Sequence, residues 1–250
     1  CGMIIVHPEA FARRPSCVLL DFDNTLYSYE TCNLAGMKAA ATLAQRLLNL
    51  APVDFDQCFR DARTEVKTRL GATAASHNRL LYFQRTIERA GFTSQPAAAL
   101  QLEQAFWRAY MDAMELYPDA LAFLNDLRIA GVPAVIVTDL TAQIQMRKLV
   151  LLGLDRVVDW IVTSEEAGGD KPDPRAFELA LAKFGGVEGD IWCIGDSVEN
   201  DLVGARQAVG AITLYKVEGK PTRPASDAVD AVFANFADVR QLFASQNVRK

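Results

Sequence analysis

Histidine and cysteine are scarce in this chain, with 2 His and 5 Cys among 250 residues. The cysteines (Cys1, Cys17, Cys32, Cys58, Cys193) are odd in number and scattered, with no CxxC spacing, which argues against both a disulfide framework and a zinc site. Long apolar runs are missing as well: nothing approaches the roughly 18 residues of a membrane span. The stretch Met3 to Arg14 lacks the apolar core and small-residue cleavage site of an export signal. The expectation is a cytoplasmic protein in a reducing compartment with no membrane partner. Cys1 and Gly2, ahead of Met3, are read as an appended remnant and left out of the fold reading. Basic charge is in deficit, 26 Lys and Arg against 31 Asp and Glu, for a net charge of −5. Nucleic-acid binding by counterion release asks for the opposite balance, so no nucleic-acid partner is expected. Internal repeats and low-complexity linkers are also absent, and nothing in the sequence fixes an oligomeric state.

What is present is ordinary globular material, 50% hydrophobic and 23% charged. The length allows one large domain or a domain carrying an insertion. Residue periodicity chooses the second. The run Cys17-Val18-Leu19-Leu20 reads as a buried strand that ends in Asp21-Phe22-Asp23-Asn24-Thr25. From about Thr31 to Glu115 apolar residues recur at helical spacing, giving about four helices and no strand. After Tyr117-Pro118, helical stretches alternate with short apolar runs at 134–137, 160–162, 191–194, 211–214 and 231–233. Strands separated by helices predict a parallel sheet. Gly131, Gly153 and the pair Gly185-Gly186 fall where helices should close. The predicted architecture is α/β, a Rossmann-like parallel-sheet core (15–28 and 117–250) with an inserted all-helical domain (29–116).

Charge divides the same way. The insertion holds 10 basic and 9 acidic side chains, a net +1, against −6 for the remainder. Within it, residues 60–89 carry seven Arg or Lys against three acids. A basic helical lid on an acidic core suits an anionic substrate held at a cation site. For most of these side chains a solvated helix face is the simpler account. Trp107, Trp160 and Trp192 are expected to be packing residues.

Four polar clusters end apolar runs: Asp21 to Thr25, Thr138-Asp139, Lys171-Pro172, and Gly195-Asp196-Ser197-Val198-Glu199-Asn200-Asp201. Strand ends of an open parallel sheet line one crevice. Up to four carboxylates (Asp21, Asp23, Asp196, Asp201) would gather there and repel one another unless a hard, oxygen-seeking cation such as Mg2+ is present. Magnesium beside Lys171 suits phosphate, and Thr138 adds a hydroxyl donor. An aspartate at such a metal can take a phosphoryl group as an acyl phosphate. A second carboxylate two residues away can serve as acid and then as base. Glu199 and Asn200 are read as residues that start the following helix.

In this order, the set DxDxT, strand-terminal Thr, Lys and GDxxxxD resembles the haloacid dehalogenase superfamily, in its phosphatase branch with a helical C1 cap, over essentially the whole chain. The resemblance implies that Asp21 is nucleophile and metal ligand. It implies that Asp23 is general acid/base and a ligand through its carbonyl, and that Asp196 is a direct metal ligand. Asp201 would act through water or by orienting Lys171, and Thr138 and Lys171 would bind the phosphoryl group. Asp139 stands where many relatives have Asn; its backbone NH can serve the phosphoryl group provided its carboxylate points away. The implied reaction is Mg2+-dependent hydrolysis of a small soluble phosphate monoester through an aspartyl-phosphate, a small-molecule partner. Contacts to the substrate's other end are expected from among Lys67, Arg69, His77, Arg79 and Arg85, though His77 reads first as a helix-start residue.

Two alternatives stay open. A 2-haloacid dehalogenase would use the same aspartate, but halide leaves without a proton and needs neither Asp23 nor metal-binding carboxylates. A receiver-like phosphoacceptor module is about half this length and places its acceptor on a later strand.

Overall fold

The computed structural model describes residues 2–246; Cys1 lies outside them. The chain begins with β1 (Ile4–Ile5) and β2 (Cys17–Leu20) and passes through α1 (Tyr29–Leu48), α2 (Pro52–Leu70), α3 (Arg79–Arg89) and α4 (Pro96–Asp112). It continues as α5 (Ala120–Ile129), β3 (Ala134–Thr138), α6 (Ala142–Leu151), β4 (Trp160–Thr163), α7 (Ser164–Ala167), α8 (Pro174–Ala182) and β5 (Ile191–Gly195). It ends with α9 (Gly204–Val209), β6 (Ile212–Lys216), β7 (Ala231–Phe233) and α10 (Phe236–Ser245). Two compact units result: Cys1–Ser28 with Glu115–Lys250, and Tyr29–Met114.

The first unit is built on a seven-stranded sheet of order β1-β7-β6-β5-β2-β3-β4. All neighbours are parallel except β1 on β7. Helix-covered parallel strands are buried on both faces, which is why β2, β3 and β5 read as continuous apolar runs and are buried at every position. β2 sits at the reversal of strand order, with Leu20 in register with Ile136 of β3 and Ile194 of β5. The residues just past β2, β3 and β5 therefore face one crevice at the switch point. The run expected at 211–214 forms a strand shifted to Ile212–Lys216. β1 leaves no trace in the sequence pattern, because two residues carry no periodicity; backbone bonds from Val6 and His7 to the Asp230 carbonyl extend its pairing. No described helix is long and apolar enough to cross a membrane.

The second unit is the expected set of four helices. Its core is aromatic: Phe55, Phe59, Phe83 and Phe106 are buried, with neighbouring ring centroids 5.4–6.2 Å apart. Gly36 lets α1 approach α4, since a Cβ there would lie 2.7 Å from the Phe106 ring. Asn78 caps α3 by accepting from the Leu80 and Leu81 amides. On the surface, Glu65 accepts from Arg69, Arg85 and Arg89, while Arg85 also reaches Glu88 and Arg89 reaches Asp61.

Candidate active site

The structure brings the four polar clusters of the first unit together. Asp21 follows β2 and is 8% exposed. Its Oδ1 accepts from Lys171 Nζ at 2.7 Å and its Oδ2 from the Thr25 hydroxyl at 2.7 Å. The Lys171 ammonium also donates to Asp201 Oδ1 at 2.7 Å and to the Val137 carbonyl at 2.9 Å. All three ammonium hydrogens are thereby engaged, fixing the side chain at the end of β3. The Asp201 carboxylate is oriented in turn by the Ser197 amide, 3.0 Å from its other oxygen. Gly195 makes this possible: a Cβ there would fall 2.4 Å from Asp201 Oδ2. Ser197, rather than Glu199 or Asn200, caps the turn that follows, accepting from the Asn200 amide.

Asp21, Asp196 and Asp201 each offer a carboxylate oxygen within 4.8 Å of the others. Burial pushes the Asp21 carboxyl up to about 7, Lys171 pulling against the rise and Asp201 adding to it. Asp196 also rises to about 7, through burial and then the charge of Asp21. Burial raises Asp201 against the pull of Lys171. For Lys171, burial works against the charge, but Asp201 and Asp21 outweigh it and hold the ammonium well above its ordinary value. One ammonium among three crowded carboxylates leaves negative charge in excess, and an all-oxygen set of this kind fits a hard divalent cation.

Asp23 is set apart from that cluster. Its carboxylate receives Lys148 Nζ at 3.1 Å, the Tyr27 hydroxyl, and Gln145 Nε2 at 3.5 Å. Burial alone would raise this carboxyl; Lys148 and Tyr27 outweigh it and hold the group below its usual range. The two aspartates of the DxD pair thus occupy opposite electrostatic settings two residues apart. Lys148 is fully buried on α6. Gln145, also fully buried on that helix, donates to the Thr138 hydroxyl at 2.5 Å and to the Asp139 carbonyl at 3.0 Å. Neither residue was singled out from the sequence. Their i, i+3 spacing was the available signal, two polar side chains on one face of a helix that follows a polar strand end.

Asp139 resolves its own departure from the common pattern. Its Oδ1 accepts from the Lys171 amide at 2.9 Å, so the carboxylate braces the lysine loop. The next residue, Leu140, has φ +104°, a conformation costly for a branched side chain, and its amide donates to Ser164 Oγ at 3.0 Å.

In the helical unit the five basic candidates have separated. Arg69 and Arg85 are tied to Glu65, and Lys67 is half-buried. His77 ends a short turn, and its carbonyl accepts from Arg79, which is buried. Trp107 and Trp192 are buried as expected, and Trp160 is half-buried with its ring 5.2 Å from that of Phe184.

Comparison with known proteins agrees with this geometry. Residues 15–208 match the family model for haloacid dehalogenase-like hydrolases. The chain is 43% identical over 200 residues, 80% of its length and 83% of the relative's, to a ribulose-1,5-bisphosphate 5-phosphatase of Halopiger xanaduensis. A glyceraldehyde 3-phosphate phosphatase of Methanopyrus kandleri is 29% identical, with 81% of this chain and 84% of the relative aligned. Among solved structures, a HAD phosphatase from Thermococcus onnurineus superposes with TM-score 0.70 at 21% identity, covering 93% of this chain and 99% of that one. A 2-haloacid dehalogenase from Pseudomonas syringae gives TM-score 0.72 at 18% identity, covering 92% and 98%, a likeness of fold. With DxDxT, Thr138, Lys171 and the Asp196–Asp201 segment converging at one strand edge, the chain belongs to the haloacid dehalogenase-like hydrolases, in their phosphatase branch.

Proposed function

We propose that the protein hydrolyses a small sugar-phosphate monoester in a Mg2+-dependent reaction through an aspartyl-phosphate on Asp21. The observation that carries this reading is the Asp21–Lys171–Asp201 chain of 2.7 Å bonds with Asp196 alongside. It supplies a carboxylate nucleophile, a cation for phosphoryl oxygens and oxygen ligands for a metal in one place. Asp21, the Asp23 carbonyl and Asp196 would hold Mg2+, and Asp201 would act by orienting Lys171. Bound there, the cation neutralises phosphoryl oxygens and lets an anionic nucleophile approach an anionic ester.

In the first half-reaction an Asp21 carboxylate oxygen attacks phosphorus. The ester P–O bond breaks, and the Asp23 carboxyl gives its proton to the leaving oxygen. Lys171, whose bond to Asp21 gives way as that oxygen attacks, and the Thr138 hydroxyl would hold the phosphoryl oxygens, joined by the Asp139 amide. In the second, the Asp23 carboxylate takes a proton from water. That water attacks phosphorus, the bond from phosphorus to Asp21 breaks, and inorganic phosphate leaves. The Lys148 pairing favours ionised Asp23, the form the second half needs; acting as acid requires the carboxyl to turn from Lys148. Halide displacement would leave Asp23 and the carboxylate cluster without a task.

The 43% identity to a ribulose-1,5-bisphosphate 5-phosphatase supports a phosphorylated sugar as the substrate class. The test is phosphate release from a panel headed by ribulose 1,5-bisphosphate and glyceraldehyde 3-phosphate, with p-nitrophenyl phosphate as generic ester, in Mg2+ and in chelator. Mg2+-dependent release supports the reading. Release of chloride from 2-chloropropionate, with no phosphate released from any ester, would overturn it.

A further inference from the structure

Helix α6 wears its residues the wrong way round. Its buried face holds Gln145 and Lys148, both fully enclosed and reaching Asp23, beside Ile144 and Leu149. Its outer face, where a surface helix ordinarily carries polar side chains, leaves Met146 49%, Val150 61% and Leu151 53% exposed. One exposed apolar residue is ordinary, but no other six-residue stretch among the described residues gathers three, and contiguous apolar surface marks a place where something binds.

Met146 and Val150 are one helical turn apart and share a face. They also line a hollow of about 260 Å3 whose other apolar walls are Leu149, Val158, Trp160 and Ile161, beside β4, the last strand of the sheet. The edge of that strand is blunted, since the Ile161 carbonyl accepts from Lys183 Nζ at 2.8 Å. What this region offers is therefore side-chain surface, with room for an apolar side chain from outside.

The charges around it indicate whose. Arg147 lies four residues before Leu151 and Asp155 four after; both are exposed, and neither forms an ion pair among the described residues. One unpaired charge of each sign thus stands on either side of the apolar group along the chain. A two-fold axis exchanges the two sides, which sets Arg147 of each copy against Asp155 of the other. Arg156 and Asp159, also exposed, bring the local count to two basic and two acidic side chains. The patch is electrically balanced in a chain of net charge −5, so two copies can meet here without the repulsion that the whole chain carries.

We propose that the outer face of α6 and the hollow beside it join two copies of this chain in a symmetric dimer, with Val150 and Met146 at its centre, Leu151 entering the partner's hollow, and Arg147–Asp155 pairs on both sides. A patch of this extent lies at the small end of specific interfaces, so the dimer is reversible, with Kd on the order of 10 μM.

Sedimentation equilibrium of the full chain between about 1 and 300 μM tests this, because that range brackets the expected Kd. The mass should rise from 27.4 kDa toward twice that value. Val150→Glu should weaken association by about 30-fold or more, since it places a charge at the apolar centre. Arg147→Asp and Asp155→Arg should each weaken it about fivefold, and the two together should return Kd to within about threefold of the parent, a recovery that follows only if the pair is exchanged between copies. Far-UV circular dichroism and thermal unfolding check that each variant is folded; should Val150→Glu not be, Met146→Lys takes its place. A protein that stays monomeric over the whole range overturns the proposal. So does a dimer whose Kd the central substitution leaves within twofold of the parent, and so does a reversed pair that associates no better than the single variants.

Discussion

The two ends of the parallel sheet treat aspartate in opposite ways. At the carboxyl ends of β2 and β5, burial and crowding push Asp21 and Asp196 up to about 7. At the other end, just before β7, Asp230 is held below its usual range: burial would raise it, but Arg206, the Thr213 amide and His7 outweigh that effect. Each Asp230 oxygen meets donors, so its charge is a finished structural joint. Asp21 and Asp196 have more negative charge than Lys171 neutralises. A carboxylate with surplus charge is prepared for a cation or a reaction; one that is fully matched holds the fold.

The largest effect should come from Asp21→Asn, which keeps the shape and removes the proposed nucleophile. Turnover of p-nitrophenyl phosphate should fall on the order of 10^4-fold or more, with a thermal unfolding midpoint at or above the parent's. Turnover within tenfold of the parent would erase the contrast between the two sheet ends.

Chelation sharpens it next. Activity should vanish in EDTA and return with Mg2+, while Ca2+ restores little because its larger, looser coordination shell misplaces nucleophile and phosphate. Full activity in exhaustively chelated protein would contradict a cation-seeking carboxylate cluster.

Lys148→Met comes third. Asp23 loses its buried partner, and turnover should drop by about 10- to 100-fold as the proposed acid/base carboxylate is left without the cation that positions it. Lys148→Arg should recover part of the loss. Equal rates for the Met variant and the parent would show that the ion pair only supports packing.

The smallest effect belongs to Asp230→Asn, a stability change with activity retained. Loss of its charged hydrogen bonds should cost about 2 kcal/mol at pH 7, read by denaturant unfolding. Because the folded-state carboxyl lies below the ordinary 3.8, the stabilisation is present above that pH and fades as pH falls through the folded value. The gap between variant and parent should therefore close below about pH 4. A gap that persists unchanged into acid would mean that Asp230 acts through shape alone.

How much of this was legible in the sequence depended on distance along the chain. DxDxT and GDxxxxD are contiguous and lie at strand ends, so local pattern alone marked them. The strand at Ala231–Phe233 and the four inserted helices followed from periodicity in the same way. Lys148 and Gln145 were not legible as site residues, because a Lys in a helix reads as a surface charge until the sheet beneath it is known. Arg79 was one of five similar candidates; its difference from Arg69 and Arg85 lies in which helix face meets aromatic rings and which meets Glu65, a matter of packing. Asp139 looked like a hazard to phosphate and is a brace for the Lys171 loop, because its carboxylate finds an amide 32 residues away.

The two-residue strand β1 has a consequence for how the molecule behaves in company. Without Ile4 and Ile5, the outer side of β7 would present a row of unsatisfied amides and carbonyls, an edge on which a foreign strand can continue the sheet. By pairing antiparallel there, with Val6 and His7 both donating to the Asp230 carbonyl, this short segment spends its own hydrogen bonds on what would otherwise be an open sheet edge. Its worth is thus colloidal: a chain shortened past His7 would retain every residue of the reaction centre and still be more prone to stick to its neighbours.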